Sequence, residues 1–466
     1  MCVKPRDPIP ESSTQNDLVL EMIDDFAAAL VNMRIYSASH RRVTDLADSV
    51  ARFVNEITTA GPSHPLRISI ANEMLVMDRR PLIGASITAS RVIRAIVDRG
   101  GGGIEFDANT NSADVLEILG LLSTRVTEGD DWNRVNAQLA ERHIRSIRLL
   151  PPYVLGAAER AAVNEGILSA PVRFYQTCID TLQEVTVAIC HGGRIEFGPV
   201  KTHAEAVLRG LESDEGPLMN LARQDQYDAF TFGHSVRVAV IAMNFARTLT
   251  RNHDLLIRIG TAALLHDCGK SLIPFEILHS RKQLGPEERA EMNKHPAFGA
   301  EILLDHDNVD PLAVAAAFGH HRACDGGGYP RTRAQHHNLL VTEIVKLCDV
   351  YEALTAARPY KRPMSPIRAY RIMISMGDHL DRALLRRFIE SNGAYPIGQT
   401  VRLASGELAR VRHQTDEILQ PIVRVISDRN GDPLDAIDTV ELDLRYQERD
   451  SLRRIDGVLE GAERLL

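Results

Sequence analysis

The sequence predicts a multidomain, mainly α protein, in which a central helical region follows a small α/β domain and precedes a small β subdomain. Three observations carry this. Residues 223–390 are dominated by apolar residues at helical spacing, as in "SVRVAVIAMNFARTL" and "IRIGTAALLHD". Before residue 150, helical patterns mix with short alternating runs. After residue 393 alternation takes over, in "TVRLAS", "LARVRHQ", "IVRVISD" and "TVELDLR". A chain of 466 residues is long enough for two or three domains, each burying its own core.

The elements follow in order. "DLVLEMIDDFAAALVNM" and "RRVTDLADSVARFVNEI" space their apolar residues by three and four, which predicts two helices over 15–60. "LRISIANEMLVMD" predicts two strands turning at Asn72. "SRVIRAIVDRG" predicts a helix that stops near Gly100, and "GGIEFD" a strand. Ser112 is the expected N-cap of the helix in "SADVLEILGLLSTR", and "IRSIRLL" closes the domain 1–150 as a strand. "GGGG" at 100–103 lacks the spacing of a dinucleotide loop and is read as a turn. Residues 151–222 are read as a helical connector, either a packed neck or an element that passes signals. Residues 223–390 form the candidate catalytic domain. In 391–466, Ser405–Gly406 and Asn430–Gly431 supply turns between strands, and a last helix is expected at about 449–466.

The bulk numbers exclude several function classes. Hydrophobic content of 44% and charged content of 25% are those of an ordinary globular protein. A formal net charge of −8 argues against DNA as a partner. No apolar run approaches the roughly 18 residues of a membrane span. The opening "MCVKPRDPIPESSTQ" has no apolar core and is not a signal peptide. Six dispersed cysteines without a CxxC pair suit reduced thiols, so a cytoplasmic location is expected.

One stretch carries chemistry. "LLHDCGKSLIP" places His266 beside Asp267, with Lys270 three residues on. Further ligand types accumulate in His234, His295, the pair His320–His321, and Asp349. Successive groups are 25 residues (295 to 320) to 32 residues (234 to 266) apart. That is about one helix plus its connection, so each group can sit near a helix end and point into a common centre. Imidazole mixed with carboxylate suits Mn, Fe or Zn better than Ca or Mg. Five histidines and two aspartates exceed one tetrahedral site and suffice for two ions bridged by a carboxylate. Such a pair activates water and neutralises charge in phosphoester hydrolysis. Each histidine taken alone is more often a surface or core residue; the combination is what points to a centre. The remaining histidines, such as His253, His306 and His379, are read as ordinary ones.

"HDCGK", "HHRACDGGGYP" and "ALTAARPYK" together resemble the HD-GYP subgroup of the HD phosphohydrolase superfamily, over about residues 222–390. The resemblance implies an all-helical bundle and a metal-dependent phosphodiesterase that hydrolyses cyclic di-GMP to linear pGpG, with GMP as a further product to be tested. It implies two divalent ions, Fe or Mn, held by His234, His266, Asp267, His295, His320, His321 and Asp349, with Asp267 bridging. Asp267 and Lys270 would be the catalytic pair, Lys270 contacting the phosphate under attack. Asp325, Tyr329, Arg358 and Lys361 would join Lys270 in binding substrate. The glycines of "DGGG" would let the loop turn and hold Tyr329 beside the metals.

The chain departs from the family in three ways. Phe230 stands where some members have a Glu for a third metal, so two metals are expected. Arg322 stands where the family usually has Glu after the histidine pair, which bears on hydrogen bonding around it. Cys268, Cys324 and Cys348 flank presumed site residues and are read as packing groups. The flanks resemble, more weakly, an N-terminal domain and a C-terminal β extension found in the family. The alternatives are hydrolysis of another cyclic dinucleotide, such as cyclic GMP–AMP, and a non-catalytic receptor. A homodimer and a diguanylate cyclase (GGDEF) partner are left open.

Overall fold

The structure is a computed structural model. It describes all residues other than 1–14, 61–64, 72–73, 78–79, 128, 153–169, 214–217, 220–230, 279, 281, 332–337, 357–363, 435–438, 447–451 and 459–466. The chain divides into two compact units, Met1–Gln176 and Thr177–Leu466.

The first unit opens with α1 (Gln15–Ile35) and α2 (Arg41–Ala60), the two helices that the sequence predicts. Strands β1 (Leu66–Ala71), β2 (Met74–Met77) and β3 (Arg80–Pro81) follow. Then come α3 (Ile83–Thr88), α4 (Ser90–Val97), β4 (Gly103–Phe106), α5 (Ser112–Ser123), α6 (Trp132–Glu141) and β5 (Ile147–Leu150). The sheet order is β3-β2-β1-β4-β5, and every neighbouring pair is antiparallel. The α/β expectation is thus refined to helices packed on an antiparallel sheet. Phe26 of α1 meets Phe106 of β4 edge-on, with ring centroids 5.8 Å apart, at the heart of the apolar core. Glu105, buried on β4, pairs with Arg148 of β5 at 2.6 Å and with Arg67 of β1, which ties three strands together.

Two local expectations shift here. Asn111, not Ser112, caps α5: its side chain accepts from the Asp114 N–H at 3.1 Å. Asn and Ser are equally good caps, so the sequence alone favours neither. In the "GGGG" stretch Gly100 sits in a turn at φ 66°, and Gly103 already begins β4. The turn expected at Asn72 lies outside the described residues.

In the second unit, α7 (Ala170–Cys190), which begins before the division, and α8 (Phe197–Ser213) precede α9 (Thr231–Leu249) and α10 (His253–Leu265). A 3-10 turn, Cys268–Leu272, leads to the short α11 (Phe275–Leu278) and α12 (Pro286–Met292). Then come α13 (His295–Leu304), α14 (Pro311–Gly319), α15 (Leu340–Thr355), α16 (Pro366–Ser375) and α17 (Arg382–Asn392). Residues Val236 and Val238–Met243 of α9 are all buried. A helix apolar all round belongs inside a bundle, and α9 packs on α10 and α15. Helix α10 in turn meets α8, α14 and α15, and α13 packs on α14. No described helix is long and apolar enough to cross a membrane.

The unit closes with a second antiparallel sheet: β6 (Thr400–Leu403), β7 (Leu408–His413), β8 (Ile422–Val425), β9 (Glu441–Asp443) and β10 (Ile455–Val458), in the order β10-β6-β7-β8-β9. Strand β10 corrects the helix expected at about 449–466 where the chain is described; residues 449–451 and 459–466 lie outside the described residues. Ile455, Gly457 and Val458 instead pair with Leu403, Arg402 and Val401 along the open edge of β6. A free edge of backbone donors and acceptors outweighs a weak local helical pattern.

Candidate metal centre

Four of the candidate histidines stand at a helix end or one turn from it. His234 lies in the first turn of α9, His266 ends α10, His295 begins α13, and His320 caps α14. Asp349 comes from α15. The turn that follows Asp267 packs closely on α13 because Gly269 has no side chain. A Cβ there would lie 2.0 Å from the His295 carbonyl oxygen and 2.4 Å from the Gly299 nitrogen. The glycine after the HD pair thereby brings the third histidine to the first two.

Hydrogen bonding fixes the histidine tautomers. The Nδ1–H of His266 donates to the Ala263 carbonyl at 2.7 Å, that of His295 to Met292 at 2.8 Å, and that of His320 to Ala316 at 2.9 Å. The Nδ1–H of His234 donates to Glu352 Oε2 at 2.6 Å. Carbonyl and carboxylate oxygens only accept, so every Nδ1 is the donor, and in the neutral rings Nε2 carries the lone pair.

These Nε2 atoms surround Asp267. His295 and His320 lie 3.3 and 3.6 Å from its Oδ1, whereas His266 and His234 lie 3.4 and 3.5 Å from its Oδ2. One carboxylate oxygen thus faces each half of the cluster. Ring nitrogens of His295, His320 and His321 fall within 4.8 Å of one another, and so do the ligand atoms of His234, His266 and Asp267. Asp349 Oδ1 adds to the second half, 3.1 Å from His234 Nε2. All of these residues are buried except His321, which is half-buried.

The arrangement fits divalent cations. The Nε2 atoms of His295 and His320 stand 3.2 Å apart, two lone pairs face to face. His266 Nε2 and Asp267 Oδ1 are buried without a hydrogen-bond partner. Buried polar atoms of this kind are costly unless something satisfies them, and converging lone pairs beside a carboxylate are what a cation satisfies.

Electrostatics divide the cluster. Burial works against charge on His234, but the Glu352 and Asp349 carboxylates outweigh it and hold its pKa up at about 9. Burial pushes His320 down to about 4, and burial with neighbouring His320 pushes His321 down to about 2. Burial would raise the Asp267 carboxyl, yet the Lys270 ammonium and His266 hold it well below the usual range. Lys270 contacts Asp267 Oδ2 directly.

The loop after the histidine pair covers one side. Tyr329 leans on His321 with ring centroids 4.7 Å apart and stands 6.2 Å from His295. Burial pushes its phenol up, so it stays protonated. Gly328 has φ +75°, and a Cβ there would lie 2.1 Å from the His321 carbonyl. Only glycine allows this fold-back. Asp325 is exposed and accepts from the Gly327 N–H of its own loop at 2.8 Å. Arg358 and Lys361, expected at the substrate, lie outside the described residues.

The departure at Arg322 leaves the hydrogen bonding of His320 in place, because His320 donates to the main-chain carbonyls of Ala316 and Ala317. The Arg322 carbonyl accepts from buried Lys346 at 3.0 Å and from Asn338 at 3.2 Å, which anchors the loop from below. Burial pushes the Cys268 thiol up to about 12 and Cys348 well above its usual range, as fits packing groups, whereas Cys324, read with them, is exposed. Phe230 lies outside the described residues.

Two residues escaped the sequence reading. Glu352 receives His234 on one oxygen and Arg237 Nε, at 2.6 Å, on the other. Burial opposes its ionisation, but His234 and Arg237 hold its carboxyl down at about 2. The available signal was spacing: Arg237 and Glu352 each follow a ligand, His234 and Asp349, by three positions on a helix, and so share its face.

Residues 218–384 match the family model described as HD domain. The cyclic di-GMP phosphodiesterase PA4108 of Pseudomonas aeruginosa is 38% identical over 209 residues, 45% of this chain and 50% of that protein. The 3'3'-cGAMP-specific phosphodiesterase 3 of Vibrio cholerae is 36% identical over 149 residues, 32% of each chain. The chain thus spans half or less of these curated relatives. Among solved structures, Bd1817, a HDG"Y"P protein from Bdellovibrio bacteriovorus, aligns with TM-score 0.40 at 17% identity, covering 57% of this chain and 88% of that one.

Proposed function

We propose that the chain is a metal-dependent phosphodiesterase that hydrolyses cyclic di-GMP to linear pGpG. The observation that carries this reading is Asp267, whose two oxygens face two separate groups of imidazole Nε2 atoms. That is a frame for two divalent ions: the donors suit Mn, Fe or Zn, and the resemblance to the HD-GYP family favours Fe or Mn. His266, His234 and Asp349 would hold one and His295, His320 and His321 the other, with Asp267 between them. Bound there, the ions would supply Lewis acidity and a water of lowered pKa.

The protein's own groups have separate tasks. Lys270, which contacts Asp267, would neutralise a phosphate oxygen as charge builds on it. Tyr329 would line the pocket and offer its protonated hydroxyl. Arg358 and Lys361 are assigned the second phosphate or a guanine edge, for which the guanidinium fork is suited. Asp325 would act through the shape of its loop. The free, dispersed cysteines suit a cytoplasmic setting.

The names of the relatives favour cyclic di-GMP as substrate and also support a second reading, cyclic GMP–AMP. The test is turnover of both dinucleotides by anaerobically purified protein supplied with Mn or Fe, beside Asp267→Ala. Cleavage of cyclic di-GMP by the parent and none by the variant is expected. Preferential cleavage of cyclic GMP–AMP would reassign the substrate. Bound metal and bound dinucleotide without cleavage of either would overturn the enzyme in favour of a receptor, with docking onto a diguanylate cyclase then the question to ask.

A further inference from the structure

Four of the candidate ligands use their Nδ1–H in two different ways. His266, His295 and His320 each donate to a neutral main-chain carbonyl. His234 alone among these four donates to a carboxylate, Glu352, from 118 residues away. The second Glu352 oxygen is taken by Arg237 Nε at 2.6 Å, and all three side chains are almost wholly buried, at 8% (Arg237), 9% (His234) and 2% (Glu352) exposure. Burial of so many charges is costly unless each is matched. Here they alternate in sign along one line: guanidinium, carboxylate, imidazole, and then the Asp349 and Asp267 carboxylates.

Such a line has a direction. A carboxylate that accepts from Nδ1–H fixes the ring's rotation and tautomer and makes Nε2 more basic. Arg237 holds the far oxygen of Glu352, so the carboxylate cannot turn and compete for the cation itself. His295 and His320 have only carbonyl dipoles behind them, and their half of the cluster has no carboxylate besides the shared Asp267 among the described ligand contacts.

Resting on the metal-centre reading above, we propose that Glu352, held by Arg237, is a positioning residue that fixes His234 as an Nε2 ligand and makes the His234–His266–Asp267 half the tighter of two metal positions.

The test is stepwise titration of Mn2+ into metal-free full-length protein, followed by calorimetry and by the signal of free Mn2+ in electron paramagnetic resonance. The parent is expected to fill in two steps. Glu352→Gln should weaken the tighter step by about 10- to 100-fold and leave the weaker step unchanged. His320→Ala should do the reverse. If Glu352→Gln does not fold, as judged by far-ultraviolet circular dichroism, Arg237→Lys serves, since it keeps the carboxylate and loosens its grip; the same step should weaken. Two steps unchanged in these variants, or both weakened equally, would overturn the proposal, because a merely structural residue does not separate them. No Mn2+ uptake by the parent would sink the metal-centre reading itself and this inference with it.

Discussion

At the scale of single residues, Asp267 holds the largest share of the candidate chemistry. Asp267→Ala removes the oxygen facing each half of the cluster, so loss of both metal uptake and turnover is expected, by metal analysis and product chromatography on the same sample. The histidines also set a pH response in the metal-free protein. His320 and His321 lie at about 4 and about 2, below the ~6.5 of an unfolded histidine. As pH falls below ~6.5 the unfolded chain takes up protons first, so their stability contribution is lost on the acid side. His234, raised to about 9, has the opposite sign. Its contribution is full below ~6.5 and is lost as pH rises through about 9. The melting midpoint in excess chelator should therefore peak near pH ~6.5 and fall on both sides. A midpoint that does not change between about pH 5 and 9 would contradict these shifts.

At the scale of elements, close backbone approach assembles the centre. Gly269 lets the turn after Asp267 rest on α13, where a Cβ would press on the His295 carbonyl and the Gly299 nitrogen. Both obstacles are main chain, so a helix must move. Gly269→Ala is expected to cost about 1–3 kcal/mol, by analogy with overpacked cores, and to weaken metal uptake because His295 moves with its helix. Gly120 in α5 is the control: nothing lies within 4 Å of a Cβ there. Gly120→Ala should stabilise by roughly 0.5–1 kcal/mol, the difference in helix propensity. Urea denaturation of both variants distinguishes the cases, and equal effects would remove the special role given to Gly269.

At the scale of the whole molecule, two compact units each bury a core of their own. Only the second, residues 177–466, contains the candidate ligands. Two transitions are therefore expected in calorimetry, and chelation should lower one of them. Phe106→Ala, which removes the ring packed edge-on against Phe26, should lower the other by about 3–5 kcal/mol. A single transition that moves with both perturbations would mean that the units unfold as one.

Much of this was legible in the residues themselves. Helical periodicity located α1, α2, α9 and α10, and alternation located the strands of both sheets other than β3 and β10, because burial of one face imposes its own repeat. Spacing of about one helix between His234, His266, His295, His320 and Asp349 predicted that they could converge, and they do. The end of the chain was not legible: Ile455–Val458 became a strand because β6 offered it an edge, which no local pattern records. Neither was the line from Arg237 through Glu352 to His234. A sequence places Glu352 one helical turn after Asp349, but a hydrogen bond across 118 residues exists only once α9 and α15 lie side by side. The sequence by itself determined which ligand types the centre could contain. Only the tertiary structure decided which oxygen of Asp267 faces which histidines and which ring a carboxylate backs, because both depend on how separate helices pack.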